Sequence, residues 1–423
     1  MALEEFLAEA DRCSQCSYCK WIPFDQVKSW RFAKNCPSIT YHNFNSYSAR
    51  GRYALTRSLL KGQSAVTDTV RRIVFSCMAC GACDVSCKIC RYNLEPLDMV
   101  RELKFKLIEE GQGLEAHQQL IDFLGKAHNT MMKPMKERGR WADDLDVKRV
   151  TDQPCEVLFF AGCRYSYDPQ LQATAVAGIS LLKQAGLDVG ILGDAEMCCG
   201  SRVYAMGYQN ELTRLAKANY NAWQKTGIKT VVTPCADCAY AFKRLYTQLG
   251  FSIEVLHTTE MIHRLIGEEK LKLTRPVPLT VTYHDPCHLG RLGEPYIPWQ
   301  GTEKKIKEQI IAYEPRRPRN NGAFGVYDPP REILRAIPGL RFVEMQRIRE
   351  YSWCCGAGGG VREAYPDYAD WTAGERVAEA ASTGAQALVS ACPWCERSFM
   401  DAVNNGADKI DVYDLIDLVR QAI

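Results

Sequence analysis

The stretch Thr226-Gly-Ile-Lys-Thr-Val-Val-Thr-Pro-Cys235 returns in outline as Thr383-Gly-Ala-Gln-Ala-Leu-Val-Ser-Ala-Cys392, with eight positions from glycine to cysteine in both copies. Each copy has the pattern of a short apolar strand that leads to a cysteine. Fifteen positions after the last cysteine of each copy, Ile253-Glu-Val-Leu-His257 corresponds to Ile410-Asp-Val-Tyr-Asp414. Matching offsets of this kind indicate an internal duplication.

The same offsets pair further elements of the two copies. A strand-like run precedes the first cysteine of each copy, and a Tyr-Asp-Pro step precedes a helical stretch in each. These patterns predict strands over residues 157–160 and 279–283 and helices over residues 174–184, 329–337, 259–266 and 415–423. We therefore expect two pseudo-symmetric α/β lobes.

The N-terminal part of the chain has a different character, because strand-like runs are scarce in it. Residues 99–110 have the pattern of an amphipathic helix with Val100, Leu103 and Leu107 on one face, and Gly111 supplies a stop. We predict a helical domain over residues 1–125, a polar connector over 126–154, a first lobe over 155–272 and a second lobe over 276–423.

Twenty cysteines in 423 residues fall into four tight groups, which hold eighteen of them and leave out Cys90 and Cys155. Two groups contain Cys-x2-Cys-x2-Cys, and two combine a single cysteine, a Cys-Cys-Gly step and a Cys-x2-Cys pair. The groups are Cys13, Cys16, Cys19 and Cys36; Cys77, Cys80, Cys83 and Cys87; Cys163, Cys198, Cys199, Cys235 and Cys238; and Cys287, Cys354, Cys355, Cys392 and Cys395. Such spacings suit iron–sulfur clusters, because cysteine thiolates hold these clusters.

The first two groups have the spacing of a two-cluster ferredoxin, in which the fourth cysteine of each run binds the other cluster. On that logic one cluster is held by Cys13, Cys16, Cys19 and Cys87, and the other by Cys77, Cys80, Cys83 and Cys36. Lysine rather than proline follows Cys87, and Cys90 stays an alternative fourth ligand. The helical domain is therefore expected to be ferredoxin-like.

The two groups with paired cysteines each offer five thiolates from three separated points. Tetrahedral zinc takes four ligands, so five thiolates are one too many for it. They suit instead a cluster with a bridging cysteine. Gly200 and Gly356 are expected to let the backbone pass against sulfur, and Gly356-Ala-Gly-Gly-Gly360 is interpreted as cluster packing rather than as a nucleotide site.

Composition narrows the classes of function. The net charge is only +3, which gives no argument for nucleic acid as a partner. No run approaches the roughly 18 apolar residues that a membrane-spanning helix needs, and the acidic N-terminus lacks the pattern of a secretion signal. We expect a cytoplasmic protein, in which the thiols stay reduced.

The second lobe has an insert near residues 294–325, because 66 residues separate its first cysteine from its cysteine pair and only 34 do so in the first lobe. Two interpretations stay open, a solvated surface excursion and a docking or anion-binding element. The insert's basic residues are Lys304, Lys305, Lys307, Arg316, Arg317 and Arg319.

Taken together, these motifs resemble the duplicated cysteine-rich (CCG) domains of heterodisulfide reductases. Supporting strings are Tyr283-His-Asp-Pro-Cys-His-Leu-Gly-Arg291, Val326-Tyr-Asp-Pro-Pro-Arg331 and Cys354-Cys-Gly-Ala-Gly-Gly-Gly360. With the ferredoxin-like domain in front, the layout is similar to the D subunit of that family and to related iron–sulfur subunits, such as that of class II benzoyl-CoA reductase complexes. The resemblance implies four [4Fe-4S] clusters, two cubane and two noncubane, with each noncubane cluster held by the five cysteines of its lobe.

Two functions are consistent with this resemblance. The first is an electron-transfer subunit of a larger anaerobic oxidoreductase complex, with flavoprotein or iron–sulfur protein subunits as partners. The second is a catalytic heterodisulfide reductase, in which the noncubane clusters cleave the disulfide. The sequence contains no motif that identifies the donor, the acceptor or the substrate.

Several residues near the cysteines have simpler expected roles. His284 and His288 flank Cys287, where we expect them to donate hydrogen bonds to sulfur rather than to relay protons. Trp21, Trp30 and Phe32 are interpreted as apolar shielding of a cluster, with a quinone pocket as the alternative. Cys155 is expected to be a core thiol.

Overall fold

The computed structural model describes residues 2–90, 94–295, 297, 299–306 and 310–423. The N-terminal region is helical, as predicted. Its helices are α1 Leu7–Arg12, α2 Pro37–His42, α3 Ala49–Leu60, α4 Asp68–Phe75, α5 Ala82–Cys90, α6 Pro96–Glu109 and α7 Glu115–Ala127. Helix α6 confirms the predicted amphipathic helix, because it buries Val100, Leu103 and Leu107.

The first lobe is built on a parallel sheet with the strand order β1-β3-β2-β4-β5, where the strands are β1 Lys148–Arg149, β2 Val157–Phe159, β3 Val189–Ile191, β4 Thr230–Thr233 and β5 Glu254–His257. Its helices are α8 Gly162–Tyr167, α9 Gln172–Gln184, α10 Ser201–Met206, α11 Gln209–Gln224, α12 Ala236–Tyr240 (continued by a π-helical turn, Ala241–Tyr246) and α13 Thr258–Gly267. Strands β2, β3 and β4 are buried along their whole length, as expected for a parallel sheet covered on both faces.

The second lobe is built on a second parallel sheet. Its elements are β6 Thr280–Tyr283, the insert strands β7 Thr302–Ile306 and β8 Ile310–Glu314, then α14 Asp328–Ala336, β9 Arg341–Val343, α15 Val361–Ala364, α16 Pro366–Ala381, β10 Ala387–Ser390, α17 Pro393–Asn404, β11 Asp411–Asp414 and α18 Leu415–Ala422. The sheet has the order β11-β10-β6-β9. Apart from β1, the two sheets therefore have the same order of strands.

The elements that the duplicated pattern predicts are present in both lobes. The predicted strands correspond to β2 and β6, and the predicted helices correspond to α9, α13, α14 and α18. The repeated stretches that open the sequence analysis form β4 and β10. These predictions are confirmed, with boundaries that differ by one or two residues.

The segment expected to be a connector contributes to the first lobe. Strand β1 lies within it and pairs in parallel with β3, through Lys148 with Gly190 and Arg149 with Ile191. The buried apolar cluster that fills the first lobe continues into the second and includes Leu388. The two lobes therefore share one core.

The insert folds back on its own chain. Strands β7 and β8 form an antiparallel hairpin, and residues of the insert contact the N-terminal region at three points. The contacts are Arg12 Nη1 with the Glu303 carboxylate at 3.4 Å, Arg317 Nη2 with Glu95 Oε1 at 3.1 Å, and Lys88 Nζ with the Asn320 carbonyl at 2.9 Å. The insert thus links the second lobe to the N-terminal region, which neither interpretation of the sequence anticipated. Lys307 lies outside the described residues, as does the side chain of Lys305.

Among the described residues, no helix combines the length and the apolar composition that crossing a bilayer would require.

Candidate metal centres

One small cavity of the N-terminal region is surrounded by four cysteines, Cys13, Cys16 and Cys19 from the loop after α1 and Cys87 from α5. Gln15 and Ser17 have left-handed backbone conformations, which turn the loop around the cavity. Arg50 donates to Ser17 Oγ at 3.3 Å and to Gln15 Oε1 at 2.9 Å, so it fixes the loop in place.

A second cavity is surrounded by four other cysteines of this region, Cys77 and Cys80 from the segment before α5, Cys83 from the first turn of α5, and Cys36 from the start of α2. Met78, Leu97 and Val100 line much of the remainder. The structure therefore brings together, around each cavity, three cysteines of one run and the fourth cysteine that the sequence assigned to it. The side chain of Cys90 lies outside the described residues.

In each lobe, the five cysteines lie on three segments that follow the carboxyl ends of neighbouring parallel strands. Cys163 follows β2, the pair Cys198-Cys199 follows β3, and Cys235 and Cys238 follow β4. The second lobe repeats this arrangement after β6, β9 and β10. Because the carboxyl ends of parallel strands meet at one edge of the sheet, residues far apart in sequence converge there.

The five thiols of each lobe form a connected series, in which each thiol lies close enough to the next to shift its pKa. In the first lobe the series is Cys163, Cys198, Cys199, Cys238 and Cys235. In the second lobe it is Cys287, Cys354, Cys355, Cys395 and Cys392. The order of the motifs along the series is the same in both lobes.

The backbone of the glycine after each cysteine pair lies against sulfur, as expected, but other atoms fill the space where a side chain would stand. Gly200 N–H donates to Cys198 Sγ at 3.4 Å, and Gly356 N–H donates to Cys354 Sγ at 3.5 Å. A Cβ at Gly200 would crowd Leu212 on α11, and a Cβ at Gly356 would collide with the backbone of α16. The space that these glycines leave is therefore filled by a neighbouring helix and not by sulfur.

The glycine-rich loop after Cys355 packs against the N-terminal region. Added Cβ atoms at Gly358 and Gly359 would collide with the carbonyls of Met78 and Cys77. Only glycine allows backbone to approach backbone this closely. The loop therefore packs beside a cysteine group, which supports the packing interpretation.

Two thiol contacts join cysteine groups to one another. Cys80 lies beside Cys354, which lowers the pKa of Cys80 to about 6. Cys235 lies beside Cys392, across the boundary between the lobes. The second lobe's group therefore touches both the second group of the N-terminal region and the group of the first lobe.

Buried arginines lie beside these groups. Arg138 Nη1 is 3.5 Å from Cys163 Sγ, and the same guanidinium pairs with Glu196 at 2.7 Å. Arg291 donates to the carbonyls of Cys80 and Ser352, at 2.7 and 2.6 Å. Thiolates that bind iron carry negative charge, so buried cations at these positions stabilise an anionic centre.

Lys104 on α6 lies where the three regions meet. Its Nζ donates to the carbonyls of Cys77, Ala205 and Gly359, at 2.9, 3.0 and 3.1 Å. These carbonyls belong to the N-terminal region, the first lobe and the second lobe. Burial lowers the pKa of Lys104 to about 8, although Cys77 acts in the opposite direction.

The contact between the lobes also includes two cations. Trp394, between Cys392 and Cys395, is flanked by the guanidinium groups of Arg164 and Arg202, at 4.2 and 4.0 Å from its ring centre. Such cation–π contacts hold the turn between these cysteines against the first lobe.

The histidines beside Cys287 have charged partners rather than the expected sulfur. His284 Nδ1 accepts from Arg376 Nε at 3.1 Å, and His288 Nδ1 pairs with Asp237. Burial opposes charge on His288, but Asp237 raises its pKa to about 10. The His288–Asp237 pair therefore joins the two lobes.

Other expectations have mixed outcomes. Phe32 is buried, but Trp30 is 75% exposed, so the interpretation of Trp30 as shielding is wrong. Cys155 is a buried thiol whose Sγ donates to the Val157 carbonyl at 3.3 Å, which confirms the expected core residue.

The surroundings of the cysteines fit an iron–sulfur cluster better than a single metal ion. Each lobe brings five thiols together, one more than tetrahedral zinc takes. In the N-terminal region the thiols are spaced around cavities with apolar walls. In the first lobe an amide donates to sulfur and a buried cation lies close by. Donors to sulfur and apolar walls are the features by which proteins hold and tune such clusters.

Sequence reasoning missed the buried cations. Arg138 lies in the segment interpreted as a polar connector, and Lys104 lies on a helix with other charged residues. Neither has a distinguishing spacing to any cysteine. Buried cations beside the cysteines could have been predicted from Arg202 and Arg291, because each lies a few residues after a cysteine motif.

Comparisons with known proteins agree with this geometry. Residues 9–89 match the model of the 4Fe-4S dicluster domain, and residues 157–243 and 317–400 match the model of the cysteine-rich domain, CCG. The D subunit of dihydromethanophenazine:CoB–CoM heterodisulfide reductase from Methanosarcina mazei is 31% identical over 99% of this chain and 95% of its own length. The corresponding protein of Methanosarcina barkeri is 32% identical, with the same coverage.

A longer relative shares most of this chain. EtfAB:quinone oxidoreductase of Syntrophomonas wolfei is 26% identical over 85% of this chain, which corresponds to 48% of that protein. The agreement with the Methanosarcina proteins extends over nearly the whole chain and is the stronger evidence. The chain therefore belongs to the D-subunit family of heterodisulfide reductases and is an iron–sulfur protein with a role in electron transfer.

Proposed function

We propose that this chain is the electron-transfer subunit of a larger redox complex and holds four [4Fe-4S] clusters. The ligands of the two cubane clusters are Cys13, Cys16, Cys19 and Cys87, and Cys36, Cys77, Cys80 and Cys83. The ligands of the two noncubane clusters are Cys163, Cys198, Cys199, Cys235 and Cys238, and Cys287, Cys354, Cys355, Cys392 and Cys395. Clusters at these positions would supply one-electron redox chemistry.

The observation that carries the proposal is the continuity of the cysteine groups. The Cys80–Cys354 contact connects the N-terminal region to the second lobe, and the Cys235–Cys392 contact connects the second lobe to the first. The spatial order is thus N-terminal region, second lobe, first lobe, which differs from the order along the chain. A connected order of this kind suits a conduit for electrons.

The residues around the groups keep this order fixed. Arg291 holds the Cys80 segment against the one that precedes Cys354, and two arginines of the first lobe flank Trp394. Apolar side chains line the cavities of the N-terminal region, and apolar surroundings influence the redox potential of a metal centre. These contacts keep neighbouring groups close without any motion of the protein.

The domain assignment is part of the proposal. A ferredoxin-like domain covers residues 1–125 and two CCG lobes cover 155–272 and 276–423, with segment 126–154 adding a strand to the first lobe. The shared strand order supports a pseudo-symmetric pair of lobes. The partners would be flavoprotein or iron–sulfur protein subunits of a cytoplasmic complex, a proposal supported by relatives whose names identify them as a reductase subunit and an oxidoreductase.

The catalytic alternative has one observation in its favour. Cys287 is partly exposed, whereas the other nine cysteines of the two lobes are buried. A cleft between the lobes is lined by Tyr240 and Leu292, and Tyr240 stacks on His288 beside that cysteine. For a carrier, we expect the holoprotein reduced by an artificial donor to turn over no heterodisulfide at a useful rate. Rapid turnover would favour the enzyme.

Iron content tests the proposal. Four [4Fe-4S] clusters correspond to about sixteen iron atoms per chain after anaerobic purification or reconstitution. Iron and zinc are measured by elemental mass spectrometry, together with acid-labile sulfide. A reproducible content of about eight iron atoms, which is the content of two such clusters, would contradict the assignment of the two lobes.

A further inference from the structure

One cysteine group of the N-terminal region reaches the protein surface. Among the cysteines whose side chains the structure describes, Cys16 alone is exposed. Its neighbours Ser14 and Gln15 are exposed too. The five cysteines of the first lobe, at the other end of the connected order, are all buried. Cys16 therefore marks the point at which the series of groups comes closest to solvent.

Exposed aromatic side chains lie beside this point. Phe24 is 56% exposed, and its ring meets the ring of Tyr18 edge-on at a centroid distance of 5.4 Å. Phe44 is 66% exposed and precedes Asn45, whose Oδ1 accepts from Lys20 Nζ. Each aromatic ring is thus connected, through one neighbouring residue, to the loop that carries Cys16. Exposed apolar side chains beside one loop are a feature of interaction sites.

The segment of the chain that carries Cys16 is basic. Residues 13–52 include a single acidic residue, Asp25, and six basic ones. Arg31 pairs with Glu375 and Arg52 is buried, which leaves four cations on this segment. These four are Lys20, Lys28, Lys34 and Arg50.

Two of these cations lie next to Cys16 and have neutral partners. Within the described part of the chain, Lys20 donates to the side chain of Asn45, and Arg50 donates to those of Ser17 and Gln15. Neutral acceptors leave the positive charges available to an approaching anionic surface.

We propose that this surface is the docking site of an acidic electron-carrying protein, which exchanges electrons with this chain at Cys16. This inference rests on the proposed function. Aromatic side chains are enriched at protein interfaces, and complementary charge raises the rate of encounter between partners. The residues that form this docking surface are Cys16, Lys20, Phe24, Lys28 and Phe44.

The reaction at this surface is a simple electron transfer. A cluster that Cys16 helps to hold would accept one electron from the reduced partner, so the partner would be oxidised and this chain would be reduced. No covalent bond forms or breaks. The contribution of the surface residues is to orient the partner against Cys16.

Other occupants fit the docking surface less well. A second copy of this chain would place two basic surfaces against each other, which costs free energy. Single-stranded nucleic acid also binds basic and aromatic surfaces, but it would gain nothing from an exposed cysteine ligand at the centre. An acidic redox protein accounts for the charge, the aromatic rings and the exposed cysteine together.

The test combines binding and reduction of the reconstituted holoprotein. The probe is an acidic two-cluster bacterial ferredoxin, whose oxidised form is used for equilibrium binding by surface plasmon resonance and whose reduced form is used in stopped-flow absorbance. The reference reductant is the 5-deazariboflavin radical, a small neutral molecule that is generated by laser flash photolysis.

Two variants probe the two kinds of contact. We expect Phe24→Ala/Phe44→Ala to weaken ferredoxin binding and to lower the second-order rate constant of reduction, each by about tenfold, as loss of interface anchors does. Lys28→Glu should lower the affinity for ferredoxin and the rate constant of reduction by a smaller factor. It should also weaken the dependence of both quantities on salt concentration.

Matched controls separate docking from damage. Phe324→Ala removes an aromatic side chain that is 80% exposed on the insert, and Lys225→Glu reverses an exposed lysine of the first lobe. Both should retain the wild-type binding and rate with ferredoxin. All variants should retain the wild-type iron content and the wild-type rate with the deazariboflavin radical.

Three results would overturn the inference while leaving the proposed function intact. The first is wild-type binding and rate with ferredoxin in the double phenylalanine variant. The second is an equal loss in Phe324→Ala. The third is a single-stranded oligonucleotide that binds this surface more tightly than ferredoxin does. A chain that takes up no iron, in contrast, would refute the proposed function itself.

Discussion

The two lobes have the same strand order and the same five-cysteine series, yet their surroundings differ. In the first lobe all five cysteines are buried, and the ion pair of Arg138 with Glu196 covers Cys163. In the second lobe Cys287 is partly exposed, and Cys354 contacts Cys80 of the N-terminal region. The same arrangement of strands therefore holds two different cysteine groups. The group of the first lobe is buried from solvent, and the group of the second lobe contacts the groups on either side of it.

This difference shows that the contacts of a cysteine group are set by what packs against the lobe rather than by the lobe's own motif. The cysteine motifs of the lobes are equivalent, so the motif alone cannot assign an order. The insert and the glycine-rich loop, which lie in the second lobe, both contact the N-terminal region. They place the second lobe between the other two regions.

The largest expected effect comes from removing one thiol of a cysteine pair. Cys199→Ser and Cys355→Ser should each lose about four of about sixteen iron atoms, because each variant breaks one five-cysteine group. The other groups keep their own ligands, so the EPR signals of the ferredoxin-like domain should persist. Loss of those signals in either variant, with the fold retained, would show that the groups are not independent.

Because Arg138 is buried in the first lobe, its substitution is expected to lower the stability of the protein strongly. Arg138→Met leaves Glu196 as an unpaired buried carboxylate, which should lower the free energy of unfolding by about 3–5 kcal/mol. Urea unfolding followed by circular dichroism measures this change. In a redox titration monitored by EPR, the signal of the first lobe should shift in potential, whereas that of the second lobe should not.

The neighbouring Arg140 provides the control, because it is exposed and lies two residues away. Arg140→Met should change the free energy of unfolding by less than about 0.5 kcal/mol, as surface substitutions usually do. Equal effects of Arg138→Met and Arg140→Met would mean that the Arg138–Glu196 pair does not seal the first lobe.

The smallest expected effect comes from the helix caps at equivalent positions of the two lobes. His257 Nδ1 accepts from Thr259 N–H at 3.1 Å, and Asp414 Oδ1 accepts from Ile416 N–H at 2.8 Å. Burial lowers the pKa of His257 from 6.5 to about 3, and burial raises the pKa of Asp414 well above 3.8. Both groups thus favour their neutral forms in the folded protein.

The two caps have opposite effects on stability as a function of pH. Below about pH 6.5 the unfolded chain protonates His257 and the folded chain does not, so stability falls as pH falls, by about 1.4 kcal/mol per unit. The folded protein retains the neutral form of Asp414 most easily at low pH. The contribution of Asp414 to the stability of the fold is therefore lost as pH rises. Urea unfolding of His257→Asn at about pH 7.5, 6.5 and 5.5 should show less acid destabilisation than the wild type. An unchanged pH dependence would contradict the role of His257.

The sequence is sufficient for the features that depend on local spacing. Offsets around Cys235 and Cys392 predict the strands β4 and β10, and the exchange of fourth cysteines predicts which thiols surround each cavity of the N-terminal region. The strands follow from a short-range rule, because the period of a strand acts over a few residues. The exchange joins distant cysteines, but the spacing of two-cluster ferredoxins implies it.

Features that depend on how the regions pack against one another could not be predicted from the sequence. The Cys80–Cys354 contact joins residues that are 274 positions apart, and nothing near either cysteine encodes it. The roles of Arg138 and Lys104 escape prediction for the same reason, since a charged residue in a polar stretch is normally exposed. The exposure of Trp30 contradicts the shielding role predicted for it, because position between two cysteines does not decide which way a side chain points.

The three hydrogen bonds of Lys104 have a consequence for how the protein unfolds. An ammonium group has three donors, and here each one is bonded to a different region of the chain, across sequence separations of 27, 101 and 255 residues. If any one region detaches, a buried donor loses its acceptor, and the contacts of the other two regions are weakened as well. The regions should therefore melt together in a single cooperative transition, even though their motifs look like those of separable modules.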